Sequence, residues 1–180
     1  WAFAVSLASL CLAVIITAVV SEDFPYPVSW IGVLTLTAFG ILAVTADNPL
    51  TLVLLWAAID LAELISQMRI VEEPKLSERV VIAFAAHIAG IMVLLWADMV
   101  SISSGVILDF RAAPPQAGIY FVIAAGLRLG VLPLHLPYTS ETSVRRGFGT
   151  ALRMISAGSS LILLARIPVT SLASPFSPYL

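Results

Sequence analysis

Apolar residues in this chain run in long blocks that are separated by short connections containing polar residues or proline. Six of these blocks approach the length of about 20 residues that an α-helix needs to cross the hydrocarbon core of a bilayer. We therefore predict an all-α, polytopic transmembrane bundle of about six helices. The predicted spans lie near 1–20, 28–46, 50–68, 80–97, from 119 onward, and 149–167.

The connections differ in character. Asp47, Asn48 and Pro49 predict a tight turn that leads into a new helix. The stretch RIVEEPKLSER is the most charged part of the chain, and we expect an interfacial loop or a short surface helix there. An irregular stretch, SISSGVILDFRAAPPQAG, precedes the fifth span, and a tail rich in serine and proline follows the sixth.

Composition indicates an integral membrane protein, since 60% of the residues are hydrophobic and only 11% are charged. The lipid bilayer is thus an expected partner. A net charge of -2 without any basic run argues against nucleic acid. Cys11 alone provides neither a disulfide framework nor an iron-sulfur ligand set. The chain begins at Trp1 inside an apolar run with no basic leader, which is unlike an intact signal peptide and fits a fragment or a trimmed product.

Basic residues in the connections predict the orientation of the chain. The second and fourth connections carry only Arg111, whereas the first, third and fifth share the opposite side of the membrane. That group is predicted to be cytoplasmic, with the N-terminus outside, because it contains Arg69, Lys75, Arg79, Arg145 and Arg146.

Ionisable side chains inside the spans are the leading functional candidates, because a charge at the bilayer centre costs at least about 2.5–3.5 kcal/mol. In the third span Trp56, Asp60, Glu63 and Gln67 follow one another at intervals of four, three and four, which places them on one helical stripe. Two carboxylates one turn apart repel, so at least one should hold a proton or face a cation. The stripe predicts either proton or ion handling, or pairing with basic residues that locks helix packing.

Two further spans carry polar residues. His87 lies near the middle of the fourth span, with Gly90 allowing close helix approach; it is either a proton relay or a packing histidine bonded across helices. In the sixth span Arg153 belongs to a polar stripe but could also reach the membrane interface, as we expect of Arg166. The members of that stripe are Thr150, Arg153, Ser156 and Ser160.

The fifth span contains an arginine, a histidine and two prolines within the stretch GLRLGVLPLHLPYTSE. Pro133 and Pro137 cannot donate backbone hydrogen bonds, so the helix should break or kink around 132–137. Broken backbone at membrane depth lines protein or a water-filled cavity, and discontinuous helices of this kind build ion sites in transporters. Arg128 and His135 flank the break. The alternative is a simple proline kink near an interface, with His135 among the headgroups.

Three segments of the chain resemble one family, the antiporter-like membrane subunits of respiratory complex I and the related Mrp-type cation/proton antiporters. The stretch RLGVLPLHLPY is similar to the family's broken helix, which reads approximately KSAQFPLHxWLPDA. MISAGSSLILLARIP resembles its next helix, and DNPLTLVLLWAAIDL resembles a motif like DNLLTLYLFWELxSL. The resemblance covers about 47–168. It implies a single membrane domain with a lead helix and loop (1–27), one of the family's two inverted repeats (28–168) and a tail (169–180).

The resemblance also assigns roles to residues and shows departures. The family's membrane lysine falls on Arg128, its glutamate on Ala57, and a histidine near Thr150. Because arginine gives up a proton far less readily than lysine, Arg128 would be a fixed positive charge. Asp60 and Glu63 would then supply the acidic partner, and His87 and His135 would carry protons.

The resemblance implies a proton-translocating subunit of an NADH:quinone oxidoreductase-type complex. Such a chain has no redox centre or cofactor of its own, moves protons or Na⁺ beside other membrane subunits, and resides in an energy-coupling membrane such as the bacterial plasma membrane. Ala57 and Thr150 favour an alternative, a structural subunit with a degraded channel. Transport of sodium or bicarbonate is a third possibility. A haem held between His87 and His135 is disfavoured, because a proline break is a poor platform for a rigid ligand.

Overall fold

The computed structural model describes residues 1–21, 27–70, 74–110, 113–132 and 146–167. Within these ranges the chain is entirely helical and contains no strand, which confirms the predicted all-α architecture. The six helices are α1 (Ala2–Ser21), α2 (Pro27–Thr45), α3 (Pro49–Ile70), α4 (Pro74–Ser103), α5 (Pro115–Arg128) and α6 (Arg146–Arg166).

Three helices are long and apolar enough to cross a membrane: they contain the stretches Ala2–Val19, Pro49–Arg69 and Val80–Ser103. Helix α2 adds a shorter apolar stretch, Trp30–Thr45. Large apolar side chains point outward from these helices and would meet lipid in a bilayer. These helices indicate a membrane protein.

The charged stretch between the third and fourth spans is largely helical rather than a loop. Helix α3 continues to Ile70 and α4 begins at Pro74, so only 71–73 lie outside the described residues. Proline suits the first helical position, since its missing N–H would have no partner there. The 30 residues of α4 span about 45 Å at 1.5 Å per residue. Its charged first turns can therefore lie beyond the hydrocarbon core.

The connection between α2 and α3 is fixed at both ends. The Asn48 side-chain oxygen accepts a hydrogen bond of 2.7 Å from the Thr51 backbone N–H, and Pro49 is the first helical residue, which confirms the helix start predicted there. At the end of α2, Arg166 donates to the carbonyl oxygens of Ala46 and Val44. Arg166 thus binds the end of α2, and our expectation that it reaches the membrane interface stays a prediction. Arg166 binds there because the last carbonyl groups of a helix lack partners within the helix and attract a positive charge.

Helix α5 ends at Arg128, four residues before the break that we predicted. Gly130 adopts a positive φ of 71°. The N–H groups of Gly130 and Val131 donate to the carbonyls of Leu127 and Gly126, which is the Schellman arrangement. A glycine therefore ends the helix by itself, and it leaves Arg128 in the last turn. The prolines of the predicted break, Pro133 and Pro137, lie outside the described residues.

The helices pack so that the middle of α3 is surrounded. Helix α3 packs against α2, α4 and α6, while α4 and α5 contact each other along much of their length. The core is built from large side chains with almost no exposure, among them Trp56 of α3, Phe121 of α5 and Leu163 of α6. Asp60, on the inner face of α3, is therefore buried in protein.

Candidate functional site

The centre of the site is an ion pair between α3 and the last turn of α5. Arg128 donates from Nη1 to Asp60 Oδ2 at 2.6 Å and from Nη2 to Asp60 Oδ1 at 2.8 Å. Both side chains are fully buried. A planar guanidinium matches a carboxylate in this two-bond geometry, which gives direction as well as strength. The pair thus fixes the end of α5 against the middle of α3.

His87 of α4 joins this pair from a third helix. Its Nδ1 lies 3.1 Å from Asp60 Oδ1, and its side chain is 13% exposed. Because an ionised carboxylate only accepts, Nδ1 carries the hydrogen and donates to Asp60. Nε2 is then the nitrogen at which the imidazole can gain a proton. Asp60 therefore orients His87 while it neutralises Arg128.

The indole ring of Trp56 packs against the guanidinium of Arg128. The Arg128 Cζ atom lies 4.3 Å from the centroid of the Trp56 ring, a cation–π contact in a buried setting. The indole N–H of Trp56 donates to the backbone carbonyl of Ser159 in α6 at 3.3 Å. One tryptophan therefore links the cation to a fourth helix.

Gly90 of α4 makes the position of Arg128 possible. A Cβ atom placed at Gly90 would lie 2.9 Å from Cγ of Arg128 and 3.0 Å from the carbonyl oxygen of Ala124. Both distances are too short for carbon in a packed interior. The absence of a side chain at Gly90 therefore lets α5 lie directly against α4, as we predicted for close helix approach.

Glu63 and Gln67 continue the polar stripe one and two turns beyond Asp60. Gln67 Nε2 donates to Glu63 Oε1 at 2.8 Å. A cavity of about 20 Å³ adjoins these side chains, enough for roughly one water molecule. Its lining consists of Asp60, Glu63, Leu64, Gln67, Val80, Ala83, Phe84 and His87.

Three buried polar atoms in this region have no hydrogen-bond partner among the described residues: Glu63 Oε2, Arg128 Nε and Ser156 Oγ. Unpaired buried polar atoms are costly, and functional sites are one setting in which they persist. Glu63 Oε2 is the notable one, because Glu63 also lines the cavity.

The same residues could be considered as metal ligands, since one ligand atom each from Asp60, Glu63 and His87 lie within 4.8 Å of one another. Both Asp60 oxygens already accept hydrogen bonds from the Arg128 guanidinium. A metal ion would face that positive charge at close range or would have to displace it. The donor set therefore suits a proton better than a metal ion.

The structure brings Asp60, Glu63, His87 and Arg128 together and separates them from Arg153, whose side chain lies on the exposed face of α6. Ser156 and Ser160 of the same predicted stripe are buried. The side chain of Thr150 and all of His135 lie outside the described residues. His87 and His135 are the two histidines predicted to carry protons, and of these the structure describes His87.

Ala57, where the resembled family has its glutamate, faces the outside of the bundle, whereas Asp60 faces inward. Asp60 therefore occupies the position from which a carboxylate can reach Arg128. The sequence indicated the stripe but not the roles of Trp56 and the Ser159 carbonyl. A signal existed only for Trp56, whose spacing placed it on the same stripe. A backbone acceptor leaves no trace in a sequence pattern.

The architecture and the site define an all-helical membrane protein with a buried ion pair at its centre. No family model, curated protein or solved structure matches the chain.

Proposed function

We propose that the chain is a proton-translocating, antiporter-like membrane subunit of an NADH:quinone oxidoreductase-type complex. The observation that carries this proposal is the Asp60–Arg128 ion pair, buried between helices and joined by His87. Ionisable groups inside a membrane bundle are expensive, and they commonly mark proton relays.

The ionisable residues of the site have different proposed roles. Arg128 is a permanent positive charge, because arginine keeps its proton under all ordinary conditions. Asp60 compensates that charge and orients His87. The proton-carrying groups are then His87 and Glu63, which share one cavity. Two groups that can exchange a proton beside a fixed charge support a proton relay at this site.

The host complex, its other membrane subunits and its location in a bacterial plasma membrane are proposed from the resemblance of 47–168 to the antiporter-like subunits. That family drives ion movement from redox chemistry in other subunits. This chain would accordingly supply a membrane path and no redox centre.

Proton uptake into inverted membrane vesicles that contain the assembled complex tests this proposal. Glu63→Gln should abolish pH-dye quenching while the complex stays assembled. Asp60→Asn should abolish quenching too, and its assembly is measured separately because Arg128 loses its carboxylate partner. Matched controls are Asp47→Asn and Glu78→Gln, at exposed positions on the same chain, and both should pump normally. Unaltered pumping in the Asp60 and Glu63 variants would remove the proposal. Sodium uptake by the same vesicles would identify a cation/proton antiporter instead.

One observation favours a second candidate, a structural subunit that keeps the fold without moving protons. Arg128 is bound by both Asp60 oxygens and stacked on Trp56, so it is held in one place from two sides. Glu63→Gln discriminates the two roles, because Glu63 is not a member of the buried ion pair and its replacement leaves that pair intact. A structural subunit would assemble and leave proton flux unchanged, whereas a proton path would lose flux in a complex that still assembles.

A further inference from the structure

The two carboxyl groups of α3 have different surroundings although they lie one turn apart. Asp60 accepts three hydrogen bonds from Arg128 and His87. Glu63 accepts one, from Gln67 to Oε1, and its Oε2 has no partner among the described residues. No described side chain faces Glu63 with a pair of hydrogen-bond donors like that of Arg128. A buried carboxylate without such partners is strongly disfavoured relative to the neutral acid.

The charges around Glu63 also favour its neutral, protonated form. Among the side chains that the structure describes, the charged groups that act on it are His87 of α4, Asp60 of its own helix and Arg128 of α5. The sequence of α2 contains no charged residue, and in α6 Arg153 is exposed while Arg166 binds the end of α2. Since Asp60 and Arg128 cancel, the cluster is neutral only if Glu63 and His87 hold one extra proton between them.

We propose that Glu63 is the resting place of the cluster's single exchangeable proton, as a neutral carboxylic acid, and that this proton moves to His87. Glu63 Oε1 accepts from Gln67 as a carbonyl oxygen would, which leaves Oε2 as the O–H oxygen. His87 donates through Nδ1 to Asp60, so Nε2 receives the proton. In the transfer the O–H bond of Glu63 breaks and an N–H bond forms on His87. A neutral pair becomes a carboxylate and an imidazolium, and the net charge of the cluster is unchanged.

The cavity extends from Glu63 toward one end of α3. At that end its lining consists of Gln67 on α3 and Val80 and Ala83 on α4. These residues lie toward the end of α3 at Ile70 and the start of α4 at Pro74. Glu63 is about 10 Å from the end of its helix, at 1.5 Å per residue. We therefore expect the proton to reach Glu63 from this end of α3 and α4.

The transfer to His87 rests on the proposed function, but the location of the resting proton does not. Infrared spectroscopy of the purified full chain in lipid nanodiscs at neutral pH tests that location without any transport. The difference between the wild type and Glu63→Gln should contain a protonated-acid carbonyl band that shifts in D₂O. Glu78→Gln is the matched control, because Glu78 is exposed on α4, and its difference spectrum should show an ionised carboxylate. Circular dichroism establishes that both variants are folded.

Loss of an ionised carboxylate band in Glu63→Gln would overturn the inference. His87→Gln should leave the Glu63 acid band in place, and disappearance of the band in that variant would also contradict it. Combination with the vesicle assay separates the two proposals. An acid band without proton flux retains the location and removes the proposed function. An ionised Glu63 in a complex that pumps protons removes the proposed location of the proton and retains the proposed function.

Discussion

Arg128 and Asp60 lie 68 positions apart in the sequence, yet their side chains form two hydrogen bonds, of 2.6 and 2.8 Å, in the interior of the bundle. The pair joins the last turn of α5 to the middle of α3. It also presents one Asp60 oxygen to His87 on α4. Three helices therefore depend on a single carboxylate, and the consequences can be measured.

Removing one member of the pair should be much worse than removing both. Arg128→Leu leaves Asp60 buried without its partner, and we expect a loss of about 3–5 kcal/mol in the free energy of unfolding. The double variant Asp60→Leu with Arg128→Leu should lose less than Arg128→Leu alone. Equilibrium unfolding in detergent micelles measures both. Arg69→Leu, at an exposed position of α3, is the control, and additive losses in the double variant would contradict the coupling.

A methyl group at Gly90 should push Arg128 out of place. Gly90→Ala puts Cβ 2.9 Å from Cγ of Arg128 and 3.0 Å from a backbone oxygen, and the backbone cannot move aside cheaply. We expect a net destabilisation of about 1–3 kcal/mol.

Gly158→Ala is the matched control for Gly90, because its Cβ would meet only the end of the flexible Leu7 side chain, at 3.2 Å. That variant should be neutral or gain up to about 1 kcal/mol from the helix propensity of alanine. Equal effects at the two glycines in thermal unfolding would argue against a close approach at Gly90.

The indole of Trp56 should contribute through two separable contacts. Trp56→Phe keeps an aromatic face for Arg128 but loses the hydrogen bond to Ser159, at an expected cost of about 1 kcal/mol. Trp56→Leu removes the cation–π contact as well and should cost about 1–2 kcal/mol more. Unfolding of the two variants, side by side in the same detergent, provides the comparison. Equal stability of the phenylalanine and leucine variants would show that the ring face contributes nothing.

Arg166 should stabilise the junction between α2 and α6. It donates to two carbonyls at the end of α2 and lies 5.3 Å from the ring centroid of Phe110. Arg166→Leu should lose about 2 kcal/mol in the free energy of unfolding. Arg166→Lys keeps the charge and should recover part of the loss, while Arg69→Lys should have no effect. A lysine variant as unstable as the leucine variant would mean that charge alone is not enough.

Much of the fold follows from the sequence because bilayer thickness and helix geometry act locally. Apolar blocks of the right length predict helices, and the Asp-Asn-Pro turn places the start of α3. The helical period also puts Asp60 and Glu63 on one stripe without any knowledge of their neighbours. The break predicted around 132–137 follows the end of α5 at Arg128, because Gly130 ends the helix before the prolines are reached. A glycine with positive φ ends a helix as effectively as a proline does.

What only the tertiary structure decided is which carboxylate meets which partner. Residue spacing along one helix says nothing about a histidine 27 positions away or an arginine 68 positions away. Those distances depend on how α4 and α5 pack against α3, and on a missing side chain at Gly90. The sequence by itself therefore determined the set of ionisable groups in the membrane. Packing gave Asp60 a fixed charge to neutralise and left Glu63 beside a cavity, because a guanidinium can form its two-bond contact with only one of them.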